Sequence, residues 1–164
     1  MLEPERIEDQ RGFFARAWCQ QEFEERKIDA GLVQCNISFN HRKGTLRGLH
    51  YQRAPHEETK VVRCTRGALY DVAVDLRPQS PTFRQWVAET LTASNYRMML
   101  IPPGCAHGFL TLEDNTEIFY QMSAYYSPQH AAGVRWDDPA FGIKWPGPVA
   151  VIADRDRNYP DFKA

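Results

Sequence analysis

The 164-residue chain carries 20 Lys and Arg against 21 Asp and Glu, a formal charge of −1, with 43% hydrophobic and 12% aromatic residues. That length suits one domain with a real core, and the composition excludes low-complexity disorder. The charge balance lacks the basic excess that nucleic acid or an anionic membrane surface selects, so neither is an expected partner.

In chain order, the segment 18–29 (WCQQEFEERKID) is rich in Glu, Gln and Lys and is closed by Gly31, which predicts a helix. Strands follow. The segment 33–40 alternates, 46–52 runs through Gly48, and 59–65 leads through an Arg66-Gly67 turn into 68–76, where Tyr70, Val72, Val74 and Leu76 share one face at period two. Segments 86–91, 97–101, 108–112 and 116–123 complete at least eight short strands, separated by turn signals at 77–78, 102–104 and 113–115. Many short strands behind a single early helix predict an all-β, cupin-type jelly-roll barrel or sandwich, because an α/β sheet needs helices between its strands. From Trp136 onward the chain is rich in Pro, Asp and Trp, and an ordered irregular tail wrapped around the barrel is expected. The whole of 1–164 reads as a single domain.

No apolar run exceeds five residues (149–153), which argues against a transmembrane helix or a secretory h-region. The cysteines, Cys19, Cys35, Cys64 and Cys105, form no CxxC pair and read as reduced thiols of a cytoplasmic protein. Cys105 sits in a suggestive loop but is expected to be a buried small hydrophobe rather than a nucleophile.

Two of the five histidines stand in notable settings. The run from Gly44 to His50 has the G-x5-H spacing of the first cupin motif, and that from Pro102 to His107 has the P-x-G-x2-H spacing of the second. A metal-binding cupin needs H-x-H, since residues two apart on a strand share a face and an ion. Here the second position is Gln52, a weak ligand, and the nearest carboxylates are Glu57 and Glu58 in a loop. That set makes a poor metal site.

Without metal, a neutral imidazole beside a lysine suits proton abstraction next to a carbonyl: His50 takes the proton and the Lys60 ammonium stabilises the enolate oxygen. Tyr120 is a candidate proton donor for the opposite side, and Asp154 or Asp156 a candidate partner that fixes the His50 tautomer. Taken singly, each has a plainer reading: a structural histidine, a solvated lysine, a core tyrosine, a surface aspartate.

A resemblance joins them. Asp9-Gln-Arg-Gly-Phe-Phe14, Gln34-Cys-Asn36 with Ser38, Arg47-Gly-Leu-His-Tyr-Gln52, Lys60-Val-Val-Arg63, Asp71-Val-Ala-Val-Asp-Leu-Arg77 and Ser80-Pro-Thr82 follow in order. Ile101-Pro-Pro-Gly-Cys-Ala-His-Gly-Phe109, Tyr120, Tyr125-Tyr126-Ser-Pro128, Trp136-Asp-Asp-Pro139 and Ile143-Lys-Trp-Pro146 complete the set. This ordered set resembles the dTDP-4-dehydrorhamnose 3,5-epimerase family of deoxysugar-nucleotide epimerases over almost the whole chain. The resemblance implies a cupin jelly roll acting as a cytoplasmic homodimer on a dTDP-sugar, without metal or organic cofactor. It implies His50 as the base, Asp156 as its dyad partner, Lys60 at the carbon-4 ketone and Tyr120 as the acid on the opposite face. It places Arg11, Phe14, Gln34, Asn36, Arg47, His107 and Arg155 at substrate-contacting positions, and Tyr126 against the nucleotide base.

The chain departs from the family pattern at Arg16 and Ala131, where Glu is frequent, and at Arg155, where Lys precedes the dyad aspartate. Members also carry about a dozen further N-terminal residues that form an initial strand, so either this dimer edge is built differently or, if the strand is simply absent, weakened stability or dimerisation is expected. Strict alternation puts Arg47 and His50 on opposite faces, so if both line a pocket, Gly48 must mark a bulge or kink. The implied reaction is epimerisation at carbons 3 and 5 of a 4-keto-6-deoxy sugar. Single-carbon epimerisation, a metal-dependent cupin enzyme and a non-catalytic sugar-nucleotide binder are the alternatives.

Overall fold

A computed structural model describes residues 1–28 and 31–163. It begins with a hairpin, β1 (Arg6–Asp9) and β2 (Gly12–Ala15), and a short helix, α1 (Gln20–Glu25). Eight strands follow: β3 (Gln34–Asn40), β4 (Thr45–Gln52), β5 (Lys60–Arg66), β6 (Ala68–Asp75), β7 (Trp86–Thr92), β8 (Met98–Ile101), β9 (Cys105–Thr111) and β10 (Thr116–Met122). They overlap the eight predicted segments to within a few residues. The tail adds β11 (Ala131–Gly133), β12 (Val151–Ile152) and α2 (Asp154–Arg157).

Two antiparallel sheets make the jelly roll. One runs β3-β10-β5-β8; the other runs β11-β4-β9-β6-β7, with β12 added parallel to β4. Between them lies a core of Val62, Cys64, Leu69, Leu91, Met99, Ile101, Phe109 and Ile118. Strand β6 is buried on both faces. Leu69 and Ala73 point into this core, while Val72 and Val74 point outward beneath the tail residues Val134 and Phe141. The predicted wrapping of the tail is therefore present, but the tail is less irregular than expected. The physical reason is the free edge of β4, whose backbone polar groups require partners. β11 supplies them along His50–Gln52 and β12 along Thr45–Leu46.

The helix is shorter than the predicted 18–29, and Asp29 lies outside the described residues. It ends because Lys27 takes a left-handed backbone (φ 57°), and the Lys27 and Ile28 N–H groups donate back to the carbonyls of Glu24 and Phe23. That closure turns Ile28 onto the cluster of Phe23, Val61 and Met98, which covers the outer face of β5. The β1–β2 hairpin has no counterpart among the predicted strands. Charged Arg6 and Glu8 flank Ile7 on β1, and both Ile7 and Phe14 are exposed.

At Gly48 the β4–β9 register slips. Leu46 faces Leu110 and Arg47 faces Phe109, but His50 faces His107, one residue out of step. Gly48 has φ 123°, and a Cβ there would lie 2.5 Å from the Gly108 Cα and 2.7 Å from the His107 carbonyl oxygen, so only glycine fits. This is the bulge that alternation demanded.

Candidate active site

Between the sheets opens a cavity of about 800 Å³, within the range of small-molecule sites. The four-stranded sheet contributes Gln34, Asn36 and Ser38 from β3, Lys60 from β5, and Tyr120 and Met122 from β10. The facing sheet contributes Arg47, His50 and Gln52 from β4 and His107 and Phe109 from β9. The tail closes the cavity with Ala131, Arg155, Asp156 and Tyr159. Ten of the twelve predicted site residues thus meet in one space. Period-two alternation puts Gln34, Asn36 and Ser38 on the inner face of β3, and the extra residue at Gly48 brings Arg47 to the same side as His50.

His50 and Asp156 form a dyad across 106 residues of sequence: His50 Nε2 lies 2.7 Å from Asp156 Oδ1. The carboxylate only accepts, so Nε2 carries the proton and Nδ1 keeps the lone pair. The guanidinium Nη2 of Arg155 lies 3.2 Å from the same Nε2, but it too is only a donor, so this contact is electrostatic rather than a hydrogen bond. Asp156 Oδ2 accepts the Gly48 N–H at 3.0 Å, so the amide that the bulge releases from the ladder anchors the dyad. Burial pushes the Asp156 carboxyl up, but the hydrogen bonds from His50 and Gly48 and the charges of His50 and Arg155 outweigh it and hold it below its ordinary value. Asp154, the other candidate partner, is exposed.

The Lys60 ammonium, almost buried, pairs with Glu58 Oε1 at 2.7 Å and reaches across the cavity to donate to the His50 carbonyl at 3.3 Å. Tyr120 stands on the opposite sheet from His50. Burial raises its hydroxyl pKa, with the Arg47 charge acting in the other direction, so the group is a proton donor at neutral pH. His107 Nε2 makes a second pair with the fully buried Asp71, to Oδ1 at 2.7 Å. Arg47 donates through Nε to Asn40 Oδ1 at 2.8 Å. Cys105 is buried, and that burial pushes its thiol up to about 11, so it stays protonated as the expected small hydrophobe.

Tyr126, half exposed, sits at the mouth. Two glutamines hold its segment: Gln34 Oε1 accepts the Tyr126 N–H at 3.0 Å, and Gln52 Oε1 accepts the Ser127 N–H at 2.6 Å. The Gln52 amide also donates to the carbonyls of His56 and Tyr125. Gln52 is therefore a loop clamp, and Glu58 an ion-pair partner of Lys60; among the described residues no three His, Cys, Asp or Glu side chains converge on one point. The sequence points to Glu58 only as a possible metal carboxylate, and to neither Asp71 nor Tyr159 as a member of this site. The signals were present for two of them: Asp71 interrupts an apolar strand, and Glu58 precedes Lys60 by the strand period.

Arg11 and Phe14 do not reach this cavity. Both lie on the β1–β2 hairpin, exposed, with Arg11 paired to Asp9. Arg16, one of the departing positions, is also outside and pairs with Glu22 at 2.7 Å, whereas Ala131 and Arg155 line the cavity.

The family model described as dTDP-4-dehydrorhamnose 3,5-epimerase matches residues 1–164. A dTDP-4-dehydrorhamnose 3,5-epimerase of Sinorhizobium fredii is 44% identical over 163 residues, covering 99% of this chain and 84% of that protein. The crystal structure of the Bacillus anthracis dTDP-4-dehydrorhamnose 3,5-epimerase with TDP and PPi bound superposes with a TM-score of 0.93 at 42% identity, over 98% of this chain and 91% of that one. A Legionella pneumophila dTDP-6-deoxy-D-glucose-3,5-epimerase in complex with dTDP-4-keto-L-rhamnose gives a TM-score of 0.86 at 39% identity, over 94% and 82% of the two chains.

Proposed function

Because the chain belongs to the dTDP-4-dehydrorhamnose 3,5-epimerase family, we propose that it converts dTDP-4-keto-6-deoxy-D-glucose to dTDP-4-keto-L-rhamnose. The observation that carries this reading is the placement of the His50–Asp156 dyad and Tyr120 on facing sheets of one cavity, with the Lys60 ammonium in the same cavity donating to the His50 carbonyl. His50 Nδ1 removes a proton from the carbon next to the ketone, and the C–H electron pair moves into the carbonyl to give an enolate. Lys60 stabilises the oxygen that gains the charge. Asp156 balances the imidazolium that forms. Tyr120 then delivers a proton to the same carbon from the other side, and the configuration inverts. The phenolate regains its proton from solvent, as His50 loses its own. Carrying this out at carbons 3 and 5 gives the double epimer. His107, Gln34, Asn36 and Arg155 line the walls that hold the sugar nucleotide, Arg47 suits the diphosphate, and Tyr126 at the mouth suits the base.

Arg11 and Phe14 support a homodimer. If they contact substrate as the family resemblance implies, they do so in a second copy's cavity, since they are remote from their own. The apolar Ile7 and Phe14 on the same hairpin, each 66% exposed, suit burial in such an interface.

Proton NMR of dTDP-4-keto-6-deoxy-D-glucose with the protein in heavy water tests the reaction. Loss of signal at carbons 3 and 5, abolished by His50→Ala, is the expected result. Loss at one carbon makes the protein a mono-epimerase, and no exchange overturns the reading.

A further inference from the structure

Among the described residues that line this cavity, Glu58 is the carboxylate without a part in that scheme. Its side chain is 3% exposed, and Oε1 is committed to the Lys60 ammonium at 2.7 Å. Oε2 is buried and has no hydrogen-bond partner among the described residues. An acceptor left so is costly, by about 1–3 kcal/mol and more when charged, unless a ligand or water completes it. Lys60 shows the complementary arithmetic. Of its three N–H donors, one serves Glu58 and one the His50 carbonyl, which leaves the third for a ligand oxygen. The Lys60–Glu58 pair, which lines the cavity, therefore keeps one donor and one buried anionic acceptor unpaired, joined through one ion pair. An α-hydroxy ketone presents the mirror pattern, a carbonyl oxygen that accepts beside a hydroxyl that donates.

We propose that Glu58 determines specificity and orientation in this site: Oε1 fixes the Lys60 ammonium, and Oε2 accepts a hydrogen bond from the sugar hydroxyl adjacent to the ketone. The assignment rests on the functional reading above. In a 4-keto-6-deoxyhexose only carbon 3 bears a hydroxyl next to the ketone, because carbon 5 bears the ring oxygen and the methyl group. Pairing that hydroxyl with Glu58 sets which flank of the ketone lies toward β5 and so fixes the ring against His50.

The test pairs a substitution in the protein with a deletion in the substrate. Exchange of protons next to the ketone is measured in heavy water for dTDP-4-keto-6-deoxy-D-glucose and its 3-deoxy counterpart, with wild type, Glu58→Gln and Glu58→Ala. Wild type should prefer the hydroxylated compound in kcat/KM by about 10–100-fold, the worth of a hydrogen bond to a charged group. The preference should shrink to a few-fold in the isosteric Glu58→Gln and vanish in Glu58→Ala. Variants that lose rate equally on both compounds, leaving the ratio unchanged, would show that Glu58 only supports Lys60 and overturn the inference. Should Glu58→Ala fail to fold, the ratio in Glu58→Gln decides alone. A wild type that exchanges neither compound overturns the functional reading itself, whereas exchange with an unchanged ratio overturns only the assignment of Glu58.

Discussion

At the scale of single residues, the two groups proposed as proton carriers sit in different environments. His50 has a carboxylate on its Nε2, which leaves the Nδ1 lone pair of the neutral ring as the base. Tyr120 sits in a largely buried place on the other sheet, where desolvation keeps its proton on the oxygen. The two should therefore be separable by experiment. Tyr120→Phe removes the donor and leaves the base, so solvent deuterium should still enter the substrate with retention, from the His50 side. Inversion should slow by about 10²–10⁴-fold, the usual worth of a positioned acid. Following exchange by NMR alongside product formation checks this; exchange and inversion falling together would mean that Tyr120 is needed before the proton is returned. The identities of His50, Lys60 and Tyr120 were legible from their motifs. The choice of Asp156 over Asp154 was not legible from local chemistry, since two aspartates in an Asp-Arg-Asp-Arg run are equivalent until the turn of α2 buries one and exposes the other.

At the scale of elements, the bulge in β4 does two things at once. It returns Arg47 to the cavity side, and it frees the Gly48 N–H to hold Asp156. Alternation alone exposed the conflict between Arg47 and His50, which is why the bulge could be expected from sequence. That its amide would anchor the dyad could not, because the partner arrives from 108 residues away. Gly48→Ala should be severe. The new methyl meets the backbone of β9, which has no flexible end to yield, at a backbone angle that L side chains rarely adopt. A loss of about 3 kcal/mol or more in stability is expected, with loss of exchange activity in whatever fraction folds, because His50 and Asp156 both move with the bulge. Thermal unfolding followed by circular dichroism measures the first effect, and a stability near wild type would mean that β4 can close the bulge at little cost. The helix shows the opposite lesson. Propensity favoured a helix through Asp29, but Ile28 gains more by closing onto Phe23 and Val61 than by extending a solvent-exposed turn.

At the scale of the whole molecule, ten of the predicted site residues converge on one cavity, and Arg11 and Phe14 are remote from it. In a homodimer whose hairpins complete each other's sites, two damaged chains should repair one another. Arg11→Ala and His50→Ala are each expected to be nearly inactive as homodimers. Mixed after mild dissociation, they form heterodimers in which the one cavity that keeps His50 receives Arg11 from the other chain, so roughly a quarter of wild-type activity should return, since about half the dimers are mixed and each has one of two sites intact. No recovery, with heterodimers present by native mass spectrometry, would place Arg11 outside the partner's site. Among the described residues no helix is long and apolar enough to cross a membrane.

The sequence by itself determined the β-rich fold, the eight central strands and the kink at Gly48, and it supplied the residue types proposed here for proton abstraction beside a ketone. Each of these is written in local periodicity, in glycine where no side chain fits, or in motif spacing. Only the tertiary structure decided that the Gly48 amide anchors Asp156, that Asp71 backs His107, that Glu58 pairs with Lys60 and keeps its second oxygen unpaired, and that Arg11 and Phe14 lie away from the cavity of their own chain. Those are contacts between segments brought together by sheet pairing and by the wrapped tail. A buried charge chooses its partner by distance and desolvation in space, and neither is a property of chain order.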